Sequence, residues 1–131
     1  MATQDNSSHK EFVLANMADD LVDLTLQLCG KVEDRTPRFP RLFYGNYVNR
    51  LINKACNIQE YIIEANEFPK GEIRKELQIK ARAECVSLNH LIRISWQKGW
   101  ISEKQRDTWQ KLTVAIKFSI IRWISSDDTK G

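Results

Sequence analysis

The sequence has few residues that break helices. Its 131 residues include five glycines and three prolines, which are too few turn signals for a protein built from many short strands. A glycine-rich phosphate loop, a βαβ pattern and a repeat of solenoid period are all absent from the sequence. These absences exclude a P-loop nucleotide-binding fold and a solenoid, and they favour a helical chain.

Cysteine and histidine are also scarce. Cys29, Cys56 and Cys85 are far apart, and each lies in an apolar helical stretch. This placement is typical of buried thiols in a reducing compartment and not of a disulfide framework. The two histidines, His9 and His90, do not complete the spacing of a metal site. We therefore expect neither a metal nor a cofactor.

No convergent set of titratable residues is evident in the sequence. Cys85 lies five residues before His90, which places the two side chains on different faces of a helix. Glu60, Glu64 and Glu67 share one helical side, and we interpret them as partners of cations on a neighbouring helix. The sequence contains no Glu-x-x-His motif of the kind that di-iron bundles use. We expect no catalytic residues and no enzyme activity.

Long apolar runs are missing as well. No stretch approaches the roughly 20 uninterrupted apolar residues that span a bilayer. The first ten residues, MATQDNSSHK, are polar and lack the apolar run of a signal peptide. The hydrophobic content of 42% and the charged content of 28% fit a folded domain. We expect a cytoplasmic protein.

Four amphipathic stretches predict four helices, because apolar residues recur three and four apart in each. They cover residues 10–32, 41–66, 72–97 and from 102 onward. The first ends before Pro37 and Pro40, and Phe39 between them is predicted to be an apolar plug. Ser102 and Gln105 have the spacing of a capping box. We predict an all-α protein, an antiparallel up-and-down four-helix bundle over residues 10–125, with disordered tails at 1–9 and 126–131.

The fourth predicted helix has two apolar stripes where a surface helix needs one. The first stripe is Trp109, Leu112, Ile116, Ile120 and Trp123. The second stripe is Val114, Phe118, Ile121 and Ile124. The second stripe indicates either that this helix is unusually buried or that it meets another subunit.

Charge is unevenly distributed along the chain. Residues 1–34 contain two basic and seven acidic residues, whereas the remainder contains 18 basic and 10 acidic residues. On the third and fourth helices, basic residues recur seven and then eleven apart. These residues are Lys75, Arg82 and Arg93, and then Lys104, Lys111 and Arg122. Such steps return to within roughly 20° of one direction, so each trio predicts a basic stripe that suits phosphate groups. The alternative is a solvated surface without a partner.

Four tryptophans cluster in the last third of the chain: Trp96, Trp100, Trp109 and Trp123. The structural interpretation makes them core or interface anchors. The functional alternative is base stacking on single-stranded nucleic acid. Trp100 is the first candidate for stacking because it lies seven residues from Arg93.

Two segments resemble a known group of small four-helix bundles. Residues 39–66, FPRLFYGNYVNRLINKACNIQEYIIEAN, resemble the second helix of the superfamily that includes the proteins encoded by ribosomal-RNA intervening sequences. Residues 88–124, LNHLIRISWQKGWISEKQRDTWQKLTVAIKFSIIRWI, resemble the third and fourth helices of the accessory variability determinant (Avd) of diversity-generating retroelements. The Arg-and-aromatic helix end, the capped start and the final Trp123-Ile124 pair are the shared features.

The resemblance implies a homopentameric barrel with a basic surface and without catalytic residues. It also implies two partners, a retroelement reverse transcriptase and the template RNA or its cDNA. We predict phosphate contacts at the six stripe residues. Arg35, Arg38, Arg41 and Arg50 are predicted as secondary contacts to RNA or to an acidic polymerase surface. The alternative is an oligomeric bundle with a purely protein–protein role and no nucleic-acid binding.

Overall fold

The computed structural model describes residues 6–30 and 37–129, with side chains from residue 13 onward. All regular elements in these two ranges are helical. They are α1 (Asn6–Cys29), a 3₁₀ turn (Arg41–Phe43), a π-helical turn (Tyr44–Val48), α2 (Asn49–Glu67), α3 (Glu72–Gln97) and α4 (Glu103–Thr129). The predicted all-α class with four main helices is confirmed for this part of the chain. None of the helices described is long and apolar enough to cross a membrane.

The observed helix limits differ from the predicted ones at the two ends of the chain and at the start of the second helix. That helix was predicted to begin at residue 41, whereas α2 begins at Asn49, after the 3₁₀ turn and the π-helical turn. Helix α1 begins at Asn6, inside the predicted tail 1–9, while residues 1–5 and Val32 lie outside the described residues. Helix α4 continues to Thr129, so residues 126–129 of the predicted tail 126–131 are helical. The tail prediction missed the ion pairs that Asp127 and Asp128 form with α3.

Each main helix packs on the next one in the chain, and α4 also packs on α1. The start of α3 lies beside the end of α4, where Lys75 Nζ is 3.1 Å from Asp128 Oδ2. At the other end of the pair, Arg106 of α4 lies over the ring of Trp96 in α3. The side chains of α1 to α4 therefore enclose one core.

The core consists of the stripes that the sequence predicted. Leu14, Leu21 and Leu28 of α1 are buried. In the first stripe of α4, Leu112 is half-buried and the other four residues are buried. Phe39 is only 2% exposed, which confirms it as an apolar plug. Phe39 lies in the segment that follows α1, and its ring packs against that of Trp100. The Phe39 side chain therefore covers one end of the core.

The turn between α3 and α4 has the local structure that the sequence predicts. Gly99 adopts a φ of 79°, a left-handed conformation that favours glycine. The Ser102 hydroxyl accepts a hydrogen bond of 3.1 Å from the backbone N–H of Gln105, and the Gln105 side chain accepts one of 2.8 Å from the N–H of Ser102. This reciprocal cap stabilises the start of α4 by about 1 kcal/mol.

Half of the second apolar stripe of α4 is exposed to solvent, while Val114 and Ile124 are half-buried. Phe118 is 49% exposed and Ile121 is 36% exposed, and Val86 on the neighbouring α3 is 56% exposed. Helix α4 is therefore not unusually buried within one chain. The other explanation for the stripe, contact with another subunit, stays a prediction.

Candidate nucleic-acid interface

Five of the six stripe residues make no ion pair with any residue that the structure describes. Lys104 and Lys111 are exposed on α4, and Arg82 is half-buried on α3. Arg93 Nη2 lies 3.0 Å from Nδ1 of His90, and Arg122 Nη2 donates to Ser119 Oγ at 3.1 Å. Because neither partner is a carboxylate, the arginine charges stay uncompensated and available to an anion.

Lys75 differs from the other five. Its Nζ lies 3.1 Å from Asp128 Oδ2, and the two side chains are 47% and 53% exposed. An exposed pair of this kind contributes little to stability, but the carboxylate occupies the position that a phosphate would take. Lys75 is therefore the weakest of the six predicted phosphate contacts. The sequence did not indicate this because residues 126–131 were predicted to be a tail.

The secondary cations lie around the start of the second helix. Arg41 belongs to the 3₁₀ turn and Arg50 to the first turn of α2, and both are exposed without an ion pair to any described residue. Arg38 is also exposed. Arg35 lies outside the described residues. The three described arginines thus flank the π-helical turn Tyr44–Val48. Turns of this kind often occur at functional sites.

A buried ion pair that the sequence analysis missed joins α3 to α4. Arg74 Nε lies 2.9 Å from Asp127 Oδ2, with side chains only 8% and 10% exposed. Gln78 Nε2 donates to the same oxygen at 3.0 Å, and the Arg74 guanidinium stands 4.8 Å from the ring centroid of Trp123. The pair is 53 residues apart in the chain, so no local signal could reveal it. Its burial and its partners make it structural.

The tryptophans are packed against other side chains. Trp109 is fully buried, and its Nε1 donates to Thr25 Oγ1 at 3.0 Å. The half-buried Trp100 has its ring centroid 5.1 Å from Phe43 and 5.3 Å from Tyr47. The structural interpretation thus accounts for these two rings. Trp100 nevertheless keeps part of its surface in solvent, at the end of the bundle where Arg41 lies.

The acidic cluster on α2 has no cationic partner among the described residues. Glu60, Glu64 and Glu67 are exposed, and no ion pair joins them to a cation in the described part of the chain. The expectation that a neighbouring helix neutralises them was therefore wrong for that part. Within the same residues, no group of three or more His, Cys, Asp or Glu side chains could hold a metal ion.

The thiols differ in environment. Cys85 is fully buried, and burial raises its pKa from 9.0 to about 12, opposed by Lys117 and assisted by Glu84. Burial also raises the pKa of the half-buried Cys56, and Glu60 adds to this effect. A raised pKa keeps a thiol protonated and therefore a poor nucleophile. These thiols are accordingly in an environment that suits core packing.

The raised pKa of Cys85 predicts a loss of stability at alkaline pH. Between pH 9.0 and about 12 the thiol ionises in the unfolded chain but not in the folded one. The folded state then binds more protons, so the free energy of unfolding should fall by up to about 1.4 kcal/mol per pH unit. Urea unfolding across this range should show a steeper decline for the wild type than for Cys85→Ala. Equal slopes would contradict the prediction.

Comparison with known proteins does not extend these observations. The chain matches no protein-family model, and no curated protein matches it.

Proposed function

We propose that the protein is a non-enzymatic accessory factor of a diversity-generating retroelement. In this role it binds the reverse transcriptase and the template RNA or its cDNA, and it supports mutagenic cDNA synthesis and retrohoming in the cytoplasm. The resemblance of residues 39–66 and 88–124 to the Avd group supports the choice of system. The chemistry of the surface supports the choice of ligand, as follows.

The observation on which the proposal depends is the uncompensated charge on the outer faces of α3 and α4. Five cations on these faces form no ion pair with any described residue. They are Lys104, Lys111 and Arg122 on α4, and Arg82 and Arg93 on α3. A row of cations along a helix suits an extended polyanion better than a single anionic group. Contacts of this kind fix position more than sequence, and they weaken as salt rises.

The proposal includes self-association of an antiparallel bundle into a ring, with five subunits as the resemblance implies. Helix α1 exposes Asp19, Asp20 and Asp23. Phe118 and Ile121 lie exposed on α4, on the side where basic residues prevail. An acidic face on one copy and a basic, apolar face on the next would form a head-to-tail contact, which closes into a ring when the rotation allows.

The acidic face of α1 also favours the alternative function, a purely protein–protein assembly. If the acidic face of α1 covered the cations of α3 and α4 in every subunit, the assembly would have no basic surface left for nucleic acid. The two functions therefore differ in how many of these cations stay exposed in the oligomer. Binding to RNA distinguishes them.

The test measures RNA affinity of the wild-type oligomer over a series of salt concentrations. We expect binding at low salt that falls steeply as salt rises. Lys111→Glu with Arg122→Glu should weaken binding about tenfold or more and reduce the salt slope by about two, because each lost phosphate contact removes about one counterion from the exchange. Solution mass should stay unchanged.

The control is Lys70→Glu with Lys80→Glu, which changes net charge equally. Lys70 is exposed beside acidic residues, and Lys80 lies 4.0 Å from Glu76, so this pair should have a small effect. Absence of RNA binding by the wild type at low salt would contradict the proposed function. The other half of the proposal predicts a reverse-transcriptase reading frame near the gene, and copurification of its product with the protein tests this half.

A further inference from the structure

The end of the bundle where α2 begins and α3 turns into α4 collects uncompensated positive charge. We name it the basic end and define it by five exposed cations: Arg41, Arg50, Arg93, Lys98 and Lys104. None of them forms an ion pair with a residue that the structure describes. The sequence did not show this grouping because the five residues come from three segments of the chain.

The carboxylates at this end do not neutralise these cations. Arg106 Nη2 lies 2.8 Å from Asp107 Oδ1 and 3.9 Å from Glu103 Oε1, so a sixth cation already engages both acids. The Arg106 guanidinium in turn stands 4.1 Å from the ring centroid of Trp96. Residues 31–36, outside the described part, contain two basic and two acidic residues and add no formal charge.

The opposite end of the bundle has the reverse arrangement. Its cations are mostly engaged: Arg74 pairs with Asp127, and Lys75 pairs with Asp128. Its glutamates are not engaged, because Glu64, Glu67 and Glu72 are exposed without an ion pair to any residue in view. We name it the acidic end. The bundle is thus electrically polar along its axis, and an anionic chain is attracted to one end and repelled from the other.

Apolar and aromatic surface accompanies the charge at the basic end. Leu42 is 80% exposed and lies next to Arg41. Phe43 and Trp100, with ring centroids 5.1 Å apart, are half-buried beside it. The flat faces of bases are buried in the stack of a duplex, whereas unpaired bases expose them and stack on aromatic and apolar side chains. Apolar surface among cations therefore favours a single strand.

We propose that the basic end binds an unpaired stretch of RNA or cDNA, with phosphates on its cations and bases against Leu42, Phe43 and Trp100. This inference rests on the proposed function and refines it, since it names the part of the surface and the kind of nucleic acid. The stripe residues farther along α3 and α4, such as Lys111 and Arg122, then extend the electrostatic surface beyond the site that contacts bases.

The test compares two labelled probes of the same length, an oligouridylate of about 15 nucleotides and a blunt RNA duplex. Full-length protein should bind the oligouridylate more tightly at every salt concentration. Arg41→Glu with Lys98→Glu should weaken that binding about tenfold or more and reduce the salt slope by about two. Lys70→Glu with Lys80→Glu, away from the basic end, is the matched control and should have less than about a threefold effect.

A second variant tests the base contacts separately from charge. Leu42→Ser changes a side chain that is 80% exposed, so folding should be unaffected. It should weaken oligouridylate binding several-fold without changing the salt slope, and duplex binding should stay as in the wild type. A duplex bound as tightly as the oligouridylate would overturn the inference.

The remaining outcomes separate the inference from the proposed function. If the Arg41→Glu, Lys98→Glu protein bound like the wild type while the Lys111→Glu, Arg122→Glu protein lost affinity, the inference would fail and the function would stand. If the wild type bound neither probe, both would fail. If polyglutamate displaced the oligouridylate at equal charge concentration, the basic end would be a site for an acidic protein, which also overturns the inference.

Discussion

Replacing Trp109 by alanine should lower the free energy of unfolding by about 4 kcal/mol. The indole is fully buried and belongs to the stripe of α4 that faces the core. Truncation removes the largest fully buried side chain and leaves a cavity that the surrounding helices can fill only in part. It also removes the hydrogen bond to Thr25 Oγ1, which joins α4 to α1. Urea unfolding followed by far-UV circular dichroism measures the change.

Two further variants divide this effect into packing and hydrogen bonding. Thr25→Val keeps the volume but leaves the buried indole N–H without its acceptor, which should cost about 1–3 kcal/mol. Phe118→Ala, on the exposed stripe of the same helix, is the control and should cost less than about 1 kcal/mol in the isolated subunit. Equal losses for Trp109→Ala and Phe118→Ala would contradict the description of the core.

Replacing Asp127 by alanine should destabilise the protein by about 3 kcal/mol, although the residue lies only two positions before Thr129, the last residue of α4. The reason is that Arg74, only 8% exposed, loses its carboxylate partner and stays buried with its charge. Gln78 loses its acceptor at the same time. Removing one member of a buried ion pair is costly even where the pair itself contributes little net stability.

The neighbouring residue provides the control for this prediction. Asp128 pairs with Lys75 at a similar distance, 3.1 Å, but both side chains are about half exposed. Asp128→Ala should therefore cost less than about 1 kcal/mol. Replacing Arg74 by Met and Asp127 by Leu together should recover much of the loss, because no charge is then left unpaired. A loss at Asp128 as large as at Asp127 would refute the assignment of the first pair as buried.

Local features of the fold were predictable because their causes are local. Helix α3 was predicted at 72–97 and is observed at Glu72–Gln97. Gly99 and the cap at Ser102 act through backbone groups a few residues away. Phe39 was predicted to be buried because it is an apolar residue between two prolines, in a segment that was not predicted to be helical. Each of these results depends on the preferences of neighbouring residues, which the sequence lists in order.

The candidate site was predictable only in part. The stripes on α3 and α4 follow from helical spacing, and five of their six cations have no carboxylate partner among the described residues. Lys75 is the exception because its partner Asp128 belongs to a segment 53 residues away. The spacing of cations along one helix says nothing about which acid a neighbouring helix presents. The sequence therefore shows the basic helix faces but not which of their charges are compensated.

The sequence by itself determined that the chain forms four amphipathic helices, where α3 begins and ends, and that basic residues line α3 and α4. Only the tertiary structure decided which charges are paired, and so divided the bundle into a basic and an acidic end. The physical reason is range: helix formation and capping act over about four residues, whereas ion pairing depends on side chains that packing brings together from distant parts of the chain.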